Sequence, residues 1–104
     1  MDRKKLIEKL QQFKKNIGKK YNLQTVILFG SRASGKPHKD SDVDLVIVSK
    51  DFKGKKSYKR SPPLYLEWDL DLPVDFLCYT PEEFKKLKNR ITIVREAVEE
   101  GIEI

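Results

Sequence analysis

The stretch "LFGSRASGKPHKDSDVDLVIV", residues 28–48, gathers residue types that handle phosphate. Gly30 and Ser31 end one apolar run, and Asp42 and Asp44 open the next. A glycine lets a phosphate approach the backbone. The N–H groups behind it, the Ser31 hydroxyl and a helix start at 31–34 would form a small anion-binding concavity. Asp42 and Asp44, two apart in an extended chain, project to one side about 7 Å apart. Such a pair is repulsive and needs a cation. Asp75, inside the apolar run "VDFLC", repeats the oddity of a carboxylate in a strand, and an unpaired buried carboxylate is costly. If the strands carrying Asp44 and Asp75 are neighbours, the three acids converge on one patch. Hard oxygen donors suit Mg²⁺ or Mn²⁺, with substrate phosphates completing the shell. Two such ions make the clamp used for in-line displacement at phosphorus. Arg32 and Lys36 share the turn and either meet phosphate or hold the loop.

Each half has a plainer reading. A Gly-Ser step after a strand is commonplace, and "DVD" at a strand mouth is often an exposed turn. The ordering of glycine-serine, paired acids and a later lone acid favours a site.

Elements must position these residues. Leu6, Leu10, Phe13 and Ile17 recur at helical spacing, with lysines on the opposite face, so the first segment is read as a helix that covers a sheet. "TVILFG" (25–30), "VDLVIV" (43–48) and "VDFLC" (74–78) read as strands. In the second, period 2 puts Asp42, Asp44, Val46 and Val48 on one face and Val43, Leu45 and Ile47 on the other. In the third, Asp75 shares a face with Leu77. "TPEEF" then starts a helix, with Thr80 as N-cap, Pro81 at the first helical position and Glu83 closing a capping box. Leu87, Ile91, Val94 and Val98 continue its apolar stripe, with a break near 89–92 and Gly101 as cap. Residues 50–73 read as a long basic connection carrying a short helix begun by Ser61 and Pro62. The expected fold is α+β: a small mixed β-sheet packed by helices, lying against one face.

Composition bounds the rest. A chain of 104 residues fits one domain, here taken as 1–104. No apolar run approaches the roughly 20 residues of a spanning helix, and "MDRKKLIEKL" is not a secretory signal, which argues for the cytoplasm. Cys78, the single cysteine, excludes an internal disulfide and reads as core. Net charge is +6, and residues 1–40 hold 11 basic against three acidic side chains. That asymmetry attracts phosphate-bearing molecules or is simply a solvated surface. His38 reads as exposed loop. Tyr58, Tyr65, Trp68 and Tyr79 read as core or partner contacts before base-stacking platforms. Asp69 and Asp71 read as structural or solvated, and Lys55, Lys56, Lys59 and Arg60 as surface.

At Phe29-Gly30-Ser31, followed by Asp42-Val43-Asp44, the chain resembles the minimal nucleotidyltransferases of the DNA polymerase beta superfamily, of the archaeal-like type often encoded beside a HEPN-domain partner. The resemblance covers essentially the whole chain. Asp75 in "PVDFLCYTPEEF" matches the family's third carboxylate, while Ser34 replaces the arginine of the common "GSRARG" form. The resemblance implies a polymerase beta palm-like fold and Asp42, Asp44 and Asp75 as catalytic, metal-holding residues. It further implies transfer of a nucleoside monophosphate, commonly AMP from ATP, onto a hydroxyl with two Mg²⁺ ions, Mn²⁺ being an alternative. Gly30, Ser31 and Arg32 are the expected nucleotide contacts. In toxin–antitoxin members the protein is an antitoxin that adenylylates a tyrosine of its HEPN toxin. Two other readings stay open: a non-catalytic partner-binding protein, self-associating as a homodimer or taking up a helical partner, and a nucleic-acid-binding module. No recognised nucleic-acid motif is present.

Overall fold

The computed structural model describes residues 1–35 and 41–104. Its elements run α1 (Arg3–Ile17), β1 (Leu23–Phe29), α2 (Ser31–Ser34), β2 (Val43–Ser49), two 3₁₀ turns (Lys50–Phe52 and Ser57–Lys59), α3 (Pro62–Tyr65), β3 (Val74–Tyr79), α4 (Pro81–Leu87), α5 (Ile93–Glu100) and β4 (Ile102–Glu103). The fold is α+β. Among the described residues four strands form one mixed sheet in the order β3-β2-β1-β4. β1 is antiparallel to both β2 and β4, whereas β2 and β3 run parallel.

The central strands are apolar on both faces, so both faces need cover. Val43, Leu45 and Ile47 of β2 turn toward Leu6, Leu10, Phe13 and Ile17 of α1 and toward Leu64 of α3. Val46 and Val48 turn the other way, with Ile27 and Phe29, onto Phe84 of α4 and Val94 and Ala97 of α5. Helices therefore lie on both faces rather than on the one expected from element order. The alternation within β2 is the expected one. Phe13 anchors the α1 side, stacking on Phe76 and meeting the edge of Trp68. Trp68 Nε1 donates to the Leu72 carbonyl. Burial of such large apolar side chains stabilises by about 1.5–3 kcal/mol each.

Local signals hold at the α4 start, where the Thr80 hydroxyl accepts from the Glu83 N–H and the Glu83 carboxylate from the Thr80 N–H. The expected stripe through Ile91 does not. Ile91 is 96% exposed, because the chain leaves helix after Leu87 and restarts with Thr92 capping α5. Gly101 ends α5 and admits β4: a Cβ there would stand 2.3 Å from the Ala97 carbonyl oxygen and 2.8 Å from that of Leu28. Of the basic run, Lys55, Lys56 and Lys59 are exposed as expected. Arg60 is not. It is buried, donating to the Lys55 and Cys78 carbonyls and to both Glu83 carboxylate oxygens. This ties the connection to the outer edge of β3. Among the described residues no helix is long and apolar enough to cross a membrane.

Candidate active site

The site forms where β1 ends and β2 and β3 begin. Phe29 pairs with Asp44 across the antiparallel ladder, and Asp44 pairs with Asp75 across the parallel one. Adjacent strands lie about 4.8 Å apart, and in-register residues share a face. Asp44 and Asp75 therefore project together on the α4–α5 side of the sheet. Asp42 is exposed and immediately precedes β2. The Val43 N–H donates to the Pro73 carbonyl at 2.8 Å, which ties the two strand mouths together.

Gly30 makes the turn out of β1 with φ 76° and ψ −160°, a region open essentially only to glycine. The Asp44 carboxylate fills the space a side chain would need, with Oδ2 only 2.4 Å from an ideal Cβ. Glycine at this position thus serves both the turn and the acid. Ser31 is half-buried and Ser34 donates its hydroxyl to the Ser31 carbonyl. Arg32 is buried, with Nε and Nη2 both donating to the Ser41 carbonyl at 3.1 and 3.0 Å. These hydrogen bonds tie Arg32 to the residue that adjoins Asp42. Lys36 and His38 lie outside the described residues.

Burial pushes the Asp44 carboxyl above its ordinary value, and the neighbouring charges of Asp75 and then Asp42 push it further. Among the described residues no set of three or more His, Cys, Asp or Glu side chains closes into a metal cage. The donor set is nevertheless of the kind a hard cation takes: carboxylate oxygens whose mutual repulsion a positive ion would relieve, leaving room for substrate oxygens. Cys78 fits no chemistry here, since burial pushes its thiol up to about 12. Tyr65 packs its edge on Phe76 and Trp68 packs on Phe13, which makes both rings part of the fold.

One wall of the site went unread in the sequence. A cleft of about 300 Å³ is lined by Phe29, Gly30, Ser31 and Ser34 and, across from them, by Glu96 and Glu100 of α5. Glutamates in an amphipathic helix read as solvated face, and only the packing of α5 on β1 brings them here.

The nucleotidyltransferase domain family matches residues 5–100, nearly the whole chain. The chain belongs to that family. It is a nucleotidyltransferase. Over 81 residues it is 35% identical to a Haemophilus influenzae protein named a probable protein adenylyltransferase, MntA, covering 76% of this chain and 71% of that one. Its fold superposes on the crystal structure of a candidate nucleotidyltransferase from Sulfolobus solfataricus with a TM-score of 0.69. That match covers 97% of this chain and 80% of the other at 19% identity. At such identity it speaks for the fold, and it agrees with the mixed sheet described above. As a nucleotidyltransferase the chain joins an acceptor to a nucleotide phosphorus.

Proposed function

We propose that this nucleotidyltransferase moves AMP from ATP onto a hydroxyl, a tyrosine of a HEPN-domain toxin, and so acts as an antitoxin in the cytoplasm, with residues 1–104 working as one domain. The observation that carries the reading is the in-register pairing of Asp44 with Asp75 beside a glycine turn shaped around Asp44. The relative named as a protein adenylyltransferase supports a protein acceptor.

The turn at Gly30 presents Ser31 to the triphosphate, and the Ser31 hydroxyl donates to it. Arg32 positions the strand mouth through the Ser41 carbonyl. Asp42 and Asp44 would help hold both cations, and Asp75, exposed at the sheet edge, would complete the acceptor-side one. Two Mg²⁺ ions (or Mn²⁺) would supply counter-charge and Lewis acidity for in-line displacement at phosphorus. In the transfer, the acceptor oxygen bonds to the α-phosphorus as the bond to the β-phosphate oxygen breaks, and pyrophosphate leaves. Asp75 Oδ takes the acceptor's proton.

The test uses one preparation of each variant, labelled ATP, Mg²⁺ and the HEPN-domain protein encoded beside this chain. Wild type should label a tyrosine, located by mass spectrometry. Asp42→Asn with Asp44→Asn should remove most of the Mg²⁺-dependent part of ATP affinity. Asp75→Asn should bind Mg²⁺–ATP nearly normally while transfer falls by orders of magnitude, and near-normal transfer by the folded variant removes Asp75 from the site.

A further inference from the structure

The cleft beside Gly30 has an acidic wall with no part in the scheme above. Glu96 and Glu100 stand four residues apart, about one turn, on the same face of α5. Both are exposed, and among the described residues neither has an ion-pair partner. Arg95 of the same helix is occupied by Glu99 at 3.0 Å. The turn read as receiving the triphosphate is therefore faced by two carboxylates across about 300 Å³ and has Asp44 directly over its glycine. A metal-free triphosphate is a polyanion, and within a cleft of this size each carboxylate opposes it with little screening, since the Debye length at physiological salt is about 8 Å. A divalent ion on the triphosphate lowers that charge and weakens the repulsion in proportion.

We propose that Glu96 and Glu100 are specificity-determining residues that make nucleotide binding conditional on a divalent counter-ion, admitting the metal–triphosphate complex and repelling the bare triphosphate. The proposal rests on the assignment of the Gly30–Ser31 turn to the triphosphate. It explains why a turn suited to phosphate sits opposite carboxylates: the wall discriminates between two forms of one substrate, and affinity comes from the other side.

The experiment is calorimetric titration of ATP into the full chain, once in chelator and once in excess Mg²⁺, at low and at physiological salt. Wild type is compared with Glu96→Gln/Glu100→Gln and with Glu99→Gln, which removes a charge from the same helix away from the cleft. The double variant should bind metal-free ATP about tenfold tighter and Mg²⁺–ATP less than about threefold tighter, with the gain shrinking as salt rises. Glu99→Gln should leave both affinities within about twofold. Equal gains for both forms of ATP, the same gain in Glu99→Gln, or a loss of affinity in the double variant overturns the proposal. If wild type binds Mg²⁺–ATP and the double variant shows no gain in chelator, this proposal alone fails. If wild type does not bind Mg²⁺–ATP, the phosphate assignment fails and takes the proposal with it. Circular dichroism of each variant confirms that an exposed Glu→Gln change leaves the fold intact.

Discussion

Gly30 and Asp44 share one volume: the carboxylate Oδ2 lies 2.4 Å from where a Gly30 Cβ would be, at a backbone φ of 76°. Two penalties meet in Gly30→Ala. The backbone strain alone costs about 1–3 kcal/mol, and the methyl must also displace a carboxylate. The variant should lose at least that much stability in urea unfolding and should bind Mg²⁺–ATP more weakly. Adding Asp44→Ala removes the clash but not the strain, so the second substitution should recover part of the lost stability. Simple additivity of the two in a double-mutant cycle would show that the side chains do not compete.

Asp44 should cost stability in the metal-free protein. Its folded-state carboxyl is raised above the ordinary 3.8 by burial first and by Asp75 and Asp42 after it. The folded chain therefore holds that proton more tightly than the unfolded chain. Stability falls as pH rises from the ordinary value through the raised one. Asp44→Asn should then melt a few degrees higher than wild type at neutral pH. The advantage should vanish below the ordinary aspartate range, where both side chains are neutral. Scanning calorimetry across pH in chelator checks this, and an advantage independent of pH would assign it to something other than charge.

Arg60 gives the opposite sign. Its hydrogen bonds to Glu83 hold that carboxyl below its ordinary value, so their contribution is present above the ordinary glutamate range. It is lost as pH falls through the lowered value. Arg60→Ala also frees the Lys55 and Cys78 carbonyls, and should cost about 2 kcal/mol at neutral pH. The gap to wild type should narrow on acidification, read by urea midpoints from neutral to acid. A gap constant with pH would leave only the carbonyl bonds as its source.

What the sequence disclosed was local. Period 2 in "VDLVIV" placed Asp44 with Val46 and Val48, and the structure keeps them on one face. "TPEEF" carried its capping box within four residues. What it withheld depends on distant partners. Arg60 sits in a run of lysines and reads as surface, yet its carboxylate partner is Glu83, 23 positions on. β4 has two residues, too few for any period to show, and exists because Gly101 lets the chain fold back on Leu28. Ile91 fits the apolar spacing of its neighbours, but the spacing assumed one continuous helix where two meet at a break. Asp42, Asp44 and Asp75 were named together from their types and order. That Gly30 is shaped around Asp44 required the backbone.

The parallel pairing of β2 with β3 also sets an order of events. Gly30, just past the end of β1, and Asp44 of β2 are linked through residues 30–42 between antiparallel neighbours, a shorter closure than the one that brings in Asp75. Asp75 joins them across a crossover spanning residues 50–73, and pairings of that kind form late because the loop must close before any contact rewards it. During folding the chain should hold the glycine turn and the paired acids before it holds the third. The interval would be visible as protection of the β1–β2 amides ahead of β3 in pulse-labelled hydrogen exchange. A newly made chain would then acquire the means to hold a nucleotide before the means to pass it on.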